Sequence, residues 1–191
     1  TDKAYFNVIN GTWQQVYTDA GVKSYRYTID ENAAGSKVAQ MALSPTRALE
    51  AFRSLYNNID PRAFNGQNMV LQVTRSLFNN WQDMMEDKSM VFMLDRTEKG
   101  STSFSYRGIP IVVRTDWDRI IRTYFDNGTT YAQPHRALLT DINNIPIGTS
   151  DTESMKSFRS FYNFKEKIHY IDVAYRIDQK NLLEYNLASA Y

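Results

Sequence analysis

Residues 69–85 read MVLQVTRSLFNNWQDMM and join a buried strand directly to an amphipathic helix. The apolar run at 69–73 predicts a strand that is covered on both faces, since such strands carry apolar residues at consecutive positions. Thr74 follows, and threonine is a residue type that caps the free amides of a helix. The apolar side of this helix consists of Leu77, Trp81, Met84 and Met85. This strand and helix form the centre of the predicted fold.

A longer helix precedes this unit in the chain. Ser44 and Pro45 are favourable at a helix start. Asp60 ends the helix, because the residue before Pro61 is disfavoured in the helical conformation. The apolar face consists of Ala48, Phe52, Leu55, Tyr56 and Ile59. We expect one helix over 44–59, preceded by a short helix over 13–20 and a strand over 25–29.

Three further strands and a helix are predicted after the central unit. Apolar runs predict strands at 90–94, 109–113 and 137–140. A helix begins at Thr115, which is spaced with Asp118 as a capping box. Its apolar stripe consists of Trp117, Ile120, Ile121 and Tyr124.

The last predicted element is a single long strand of about 12–16 residues that begins near Phe161, against a usual length of about 5–6. Apolar residues alternate at Ile171, Val173, Tyr175 and Ile177. Ile168 and Tyr170 have the opposite phase, which indicates a bulge or bend near Tyr170. Strands and helices do not alternate regularly, so the predicted class is α+β.

The composition excludes several classes of protein. The 191 residues include no cysteine, so disulfides and thiolate metal sites are impossible. No stretch of about 18 apolar residues occurs, and no membrane-spanning helix is expected. The 22 basic and 21 acidic side chains leave a net charge of +1. Proteins that bind nucleic acid usually have a larger excess of basic residues. The start Thr1-Asp2-Lys3 is not a signal peptide and suggests a processed or truncated chain.

Residue patterns for catalysis or metal binding are sparse. His135 and His169 have no second metal ligand at helical or hairpin spacing. Asp116 and Asp118 are better explained as acids at a helix start than as ligands of a divalent cation. Asp141 and Asp151 are explained as turn residues. Phosphate-binding glycine loops and nucleophile motifs do not occur. We therefore expect no catalytic, cofactor-binding or metal-ligating residue, and no enzyme.

Four short sequence motifs around these elements resemble those of one known family. They are YRGIPIV at 106–112, ALLT at 137–140, IPIGT at 145–149 and LASAY at 187–191. Together with the element order over about 44–191, they resemble the major capsid proteins of tailed phages, which have the Hong Kong 97 type fold.

The resemblance implies an α+β fold with mixed sheets, a long spine helix and a long crossing strand. It implies a peripheral-lobe segment with the spine helix at 1–65, an axial-lobe segment at 66–160, and a return strand with the C-terminal tail at 161–191. The family carries an N-terminal arm and an extended loop before the spine helix, whereas 43 residues precede Ser44 here. We therefore expect an N-terminally truncated member.

The function that the resemblance implies is structural. Copies of the chain would self-assemble as pentamers and hexamers into the icosahedral capsid shell of a virus or prophage, around DNA. Scaffold and portal proteins would be further partners, packaged DNA would meet the inner face without specificity, and no membrane or cofactor is implied. The expected location is the virion capsid, and the host cytoplasm during assembly. Candidate subunit contacts are Arg119, Arg122, Tyr124, Tyr131 and Tyr162.

Two other interpretations stay open from the residues alone. Thirteen tyrosines and three tryptophans suit a β-rich module that binds carbohydrate or protein, although tyrosine is also an ordinary strand residue. Exposed and coplanar Trp13, Trp81 and Trp117 would favour that module, whereas Trp81 and Trp117 are expected in the core. An enzyme would require a cleft that joins an aspartate to a histidine. For Arg119 and Arg122, a solvated helix face is the simpler interpretation, and contact with phosphate or an acidic neighbouring subunit is the alternative.

Overall fold

The computed structural model describes residues 12–18, 24–65, 68–87, 95–96, 102–148, 157–174, 178–179 and 187–191. The chain divides into two compact units. The hairpin unit comprises Thr1–Gly21 and Ile145–Leu182, and the sheet unit comprises Val22–Asn144 and Leu183–Tyr191.

The helices are α1 (Thr12–Thr18), α2 (Lys37–Met41), α3 (Arg47–Asn58), α4 (Arg75–Asp87) and α5 (Thr115–Tyr124). The strands are β1 (Tyr25–Tyr27), β2 (Met69–Val73), β3 (Asp95–Arg96), β4 (Thr102–Ser103), β5 (Ser105–Tyr106), β6 (Ile109–Val113), β7 (Ala137–Asp141), β8 (Ile147–Gly148), β9 (Ser157–Asn163), β10 (Ile168–Ala174), β11 (Asp178–Gln179) and β12 (Leu187–Ala190). Short 3₁₀ helices span Asp30–Ala33, Pro61–Asn65 and Ile142–Asn144.

The sheet unit contains a mixed sheet, in which six of the described strands have the order β1-β12-β7-β2-β6-β5. β1 runs parallel to β12, and β2 runs parallel to β6. β7 is antiparallel to both of its neighbours, with Leu139 opposite Leu71 on one side and Ala188 on the other. The predicted α+β class with a mixed sheet is confirmed.

Helices α3 and α4 supply the core on the sheet. Apolar residues three and four apart lie on one face of a helix, and Ala48, Ala51, Phe52 and Leu55 of α3 are buried accordingly. α3 contacts β1, β7, β12 and α4. The amide of Asn80 joins the two helices: its oxygen accepts from the Ala48 backbone N–H (3.0 Å), and its nitrogen donates to the Ser44 carbonyl (3.0 Å). Trp81 is buried in this core as predicted.

Helix α3 begins at Arg47, two residues after the predicted first helical residue, Pro45. The backbone of Ser44 is held in a turn, where its N–H donates to Glu31 and its carbonyl accepts from Arg47. Thr46 is the N-cap, but its hydroxyl donates to the Glu50 carboxylate (2.7 Å) instead of capping an amide. The Ser44 cap is therefore wrong, although the helix itself is confirmed.

The predicted capping box at the start of α5 is also wrong. The N-cap is Arg114, and no side chain caps the helix. The Asp118 carboxylate instead accepts from the backbone N–H of Arg75, the first residue of α4 (3.0 Å). Asp118 therefore links α5 to the start of another helix.

The long strand predicted from Phe161 is a hairpin of two seven-residue strands, β9 and β10. Their antiparallel register is continuous from Ile168↔Asn163 to Ala174↔Ser157, so the bend lies at the turn 164–167 and not at Tyr170. In that turn, the Asn163 side chain accepts from the Lys165 backbone N–H, and Lys167 has a φ of 56°. Asparagine favours such turns because its side chain bonds to the backbone two residues on. The predicted alternation at 175–177 and the predicted strand at 90–94 lie outside the described residues.

Candidate functional site

The β9–β10 hairpin carries large apolar side chains that face solvent. Phe164 is 84% exposed and Ile171 is 63% exposed. Among the hairpin side chains that the structure describes, the other exposed apolar residues are Phe161, Tyr162, Ile168 and Tyr170. Phe161 and Tyr170 are opposite each other and stack with ring centroids 5.2 Å apart. Apolar residues therefore cover both faces of the hairpin.

Helix α5 is a second surface with exposed apolar residues. Only Ile121 of its described residues is buried, although the sequence predicts a stripe of four. Tyr124 is 62% exposed, and Ile120 and the following Phe125 are also exposed. Trp117 is half-buried, with the Arg114 guanidinium 5.8 Å from its ring centroid. Trp117, which was expected in the core, is therefore only half-buried. Ile120 of the predicted stripe is exposed, as is Tyr124, the candidate contact residue.

A groove of about 770 Å³ lies between α5 and the start of α4. Three basic residues, Arg75, Arg119 and Arg122, line it together with one acidic residue, Asp118. The apolar part of the lining is formed by Met41, Ile121, Tyr131 and Pro134. The groove therefore combines an excess of positive charge with apolar walls.

Asp118 offsets only part of this charge. Burial raises the pKa of its carboxyl, whereas the Arg75 backbone N–H and the positive charges of Arg122 and Arg75 act in the opposite direction. Among the described residues, the side chains of Arg75, Arg119 and Arg122 have no salt-bridge partner within 4.0 Å. The groove is therefore available to an anionic group.

A buried hydrogen-bond network holds the wall of the groove. His135 is fully buried, and its Nε2 lies 2.7 Å from the Gln40 carbonyl. Because a carbonyl can only accept, Nε2 carries the proton, and Nδ1 accepts from the Ser76 hydroxyl at 2.7 Å. Asn32 bonds to both the N–H and the carbonyl of His135. Gln40 similarly bonds to both backbone groups of Tyr131. The loop beside the groove is therefore fixed at both Tyr131 and His135.

His135 makes the stability of the sheet unit dependent on pH. Burial lowers the pKa of its imidazole below 6.5, although the Gln40 hydrogen bond and the charges of Glu31 and Asp118 oppose this. The unfolded chain then binds more protons at pH values between the folded pKa and 6.5. The stabilisation that neutral His135 provides is therefore complete above pH 6.5, and it is lost as the pH falls towards the pKa of His135 in the folded protein.

We expect wild-type protein to unfold at lower urea concentration at about pH 5.5 than at about pH 7.5. His135→Gln should remove most of the difference between the two pH values, because the titrating group is gone. His169→Gln, which replaces an exposed imidazole, should keep the wild-type dependence. Equal pH dependence in wild type and His135→Gln would contradict this assignment.

The structure brings together some of the predicted contact residues. Arg119, Arg122 and Tyr131 line the groove. Tyr124 lies on the same helix, and Tyr162 lies on the hairpin, where it is exposed. The sequence did not predict the roles of Arg75 and His135, because neither residue shows a local pattern that places it near α5.

Other features bear on the alternative interpretations. Trp81 is buried, so a flat face of three exposed tryptophans does not form. Within the described ranges, no group of three or more His, Cys, Asp or Glu is arranged to hold a metal ion. Among the described helices, none has the length and apolar character needed to cross a membrane.

Comparison with known proteins gives structural neighbours only. No family model and no curated protein sequence matches the chain. The holo-SrpI encapsulin complex from Synechococcus elongatus PCC 7942 is 13% identical, with a TM-score of 0.42 over 80% of this chain and 64% of that chain. The satellite phage P4 procapsid, which includes the size determination (Sid) protein, is 16% identical, with a TM-score of 0.43 over 94% of this chain and 50% of that chain.

Both neighbours have Hong Kong 97 type capsid folds, the family that the sequence resembles. The chain spans half to about two thirds of the length of these two structures. At such TM-scores the matches carry no weight for function, which must be argued from the residues of this chain.

Proposed function

We propose that this chain is a structural subunit of an icosahedral virus or prophage capsid, whose copies associate as pentamers and hexamers around DNA. The observation that supports this most is the hairpin β9–β10, with exposed apolar side chains on both faces. A two-stranded hairpin is at best marginally stable alone in water. Contact with neighbouring copies would bury these side chains.

Apolar burial of the hairpin would favour association. Burying one large apolar side chain contributes about 1.5–3 kcal/mol. Phe164 and Ile171 could therefore supply at most about 3–6 kcal/mol to each contact, against a cost of association of about 4–15 kcal/mol that the whole interface has to offset. The net charge of +1 on 191 residues causes little repulsion between identical copies.

The remaining parts of the proposal follow the family resemblance. α3 would be the spine helix, and the hairpin would take the place of the long crossing strand. Residues 1–65, 66–160 and 161–191 would form the peripheral segment, the axial segment and the return segment. Scaffold and portal proteins would be partners, and packaged DNA would face the inner surface. The shell would be assembled in the host cytoplasm, and the subunit would catalyse no reaction.

The double substitution Phe164→Lys and Ile171→Lys tests the role of the hairpin. We expect it to raise the concentration needed for half-maximal association at least about a hundredfold, because two charges replace two buried apolar contacts. Sedimentation velocity of the natural full-length chain measures this. Ile142→Lys, at an exposed apolar position in the sheet unit, is the matched control and should associate like wild type.

If the double variant associates at the same concentrations as wild type, the hairpin is not part of the interface between copies. A wild-type chain that stays monomeric at high concentration, with scaffold protein present, would contradict the shell function itself.

A further inference from the structure

The carboxyl end of α4 carries acids with no charge partner among the described residues. Asp83, Glu86 and Asp87 are exposed, and the last turn of α4 contains no basic residue. Asp83 lies three and four positions before the other two acids, so like charges are neighbours on the helix surface. Acids at this end are also disfavoured by the helix dipole. A cationic partner would relieve both effects.

The opposite charge is concentrated at the other end of the same helix. Arg75 is the first residue of α4, and with Arg119 and Arg122 of α5 it gives the groove three basic lining residues against one acidic residue. Guanidinium binds carboxylate in a two-pronged geometry that ammonium cannot match. The apolar walls of the groove exclude some water, which strengthens such pairs.

The carboxyl end of α4 lies far from the first residue of the helix. Arg75 and Asp87 are separated by twelve helical steps of about 1.5 Å, which is about 18 Å along the axis. A helix holds its two ends at this distance, so Asp87 and Arg75 of one copy cannot pair. A pair between these two residues must therefore involve a second copy of the chain.

We infer that the groove of one copy binds the acidic end of α4 from a neighbouring copy, and this inference rests on the self-association proposed above. The two surfaces differ, so the contact is heterologous: each copy offers a groove to one neighbour and an acidic helix end to another. A heterologous contact closes into a ring when its rotation divides a full turn. The groove volume of about 770 Å³ lies within the range of about 300–1,000 Å³ that is typical of binding pockets.

Reversal of charge on each side tests the inference. The groove variant carries Arg119→Glu and Arg122→Glu, and the acid variant carries Glu86→Arg and Asp87→Arg. All four side chains are exposed, so both variants should keep the fold, which circular dichroism and thermal unfolding verify. We expect each variant alone to associate at least about tenfold more weakly than wild type.

An equimolar mixture of the two variants gives the decisive result. In the mixture, an acidic groove meets a basic helix end wherever the two variants alternate, which a ring of six copies allows and a ring of five does not, so association should return part of the way to the wild-type level. A chain that carries all four substitutions has an acidic groove and a basic helix end in every copy, so it should associate at the wild-type level. Arg53→Glu, on an exposed position of α3, is the matched control and should leave association unchanged.

The inference is overturned if neither the mixture nor the chain with all four substitutions associates better than the groove variant or the acid variant alone. It is also overturned if only the groove variant is impaired, since the groove would then bind another anion, such as nucleic-acid phosphate or a scaffold segment. If the charge variants associate normally and the hairpin variant does not, the contact between groove and helix end is rejected, whereas the proposed shell function is not.

Discussion

Phe52→Ala is expected to lower the free energy of unfolding by about 3–5 kcal/mol, as large-to-small changes at buried aromatic positions do. Phe52 is 1% exposed and lies where α3 faces both α4 and the sheet. Its ring centroid is 6.4 Å from that of Trp81 and 5.8 Å from that of Tyr106. Truncation therefore removes contacts to a helix and to a strand together, and leaves a cavity.

Urea unfolding followed by circular dichroism measures this loss. Phe164→Ala is the matched control: it deletes the same atoms from a side chain that is 84% exposed, and it should change stability by less than about 0.5 kcal/mol. A loss below about 1 kcal/mol for Phe52→Ala would show that α3 does not pack on the sheet as described.

Gln40→Ala is expected to lower the free energy of unfolding by about 2–4 kcal/mol. The Gln40 side chain is buried and donates to the carbonyls of Asn32 (2.8 Å) and Tyr131 (2.9 Å). Its carbonyl accepts from the Tyr131 backbone N–H (2.9 Å). Alanine leaves three half-buried backbone groups without these partners, and it frees the loop that holds Tyr131 at the groove.

The same unfolding measurement applies, with Val38→Ala as the control. Val38 lies on the same short helix and is 82% exposed, so its truncation should have almost no effect. Equal stability of Gln40→Ala and wild type would mean that the network beside the groove contributes nothing to the fold.

The centre of the fold was predictable because its signals are local. The apolar run at Met69–Val73 and the helical spacing of Leu77 and Trp81 lie within one short stretch of sequence, and each pattern specifies its own element. Ala137–Asp141 was predicted for the same reason, since its strand is buried along its whole length. Such patterns do not depend on where distant residues fold.

Elements at the surface were harder to predict. The stripe of α5 has a helical period, but period alone does not show whether another element covers it, and Ile120 is exposed. The hairpin has apolar residues on both faces, so the turn at 164–167 was hidden within what reads as one strand. Lys167 adopts a left-handed conformation there, which lysine does not signal in a sequence.

The residues that form the groove were also hard to predict from the sequence. Arg119 and Arg122 were candidates because they share one side of α5, outside its apolar stripe. Arg75 is linked to α5 by its backbone N–H, which donates to Asp118, a contact between residues 43 positions apart. His135 and Ser76 are 59 positions apart. No local pattern encodes such pairs, which come from the packing of the sheet unit.

Negative-stain electron microscopy of the natural full-length chain, after concentration and size exclusion, tests the central claim most directly. If the chain is a shell subunit, uniform closed shells, or rings of five or six copies, should be visible. A single population of monomeric particles at high concentration, with scaffold protein present, would contradict the claim.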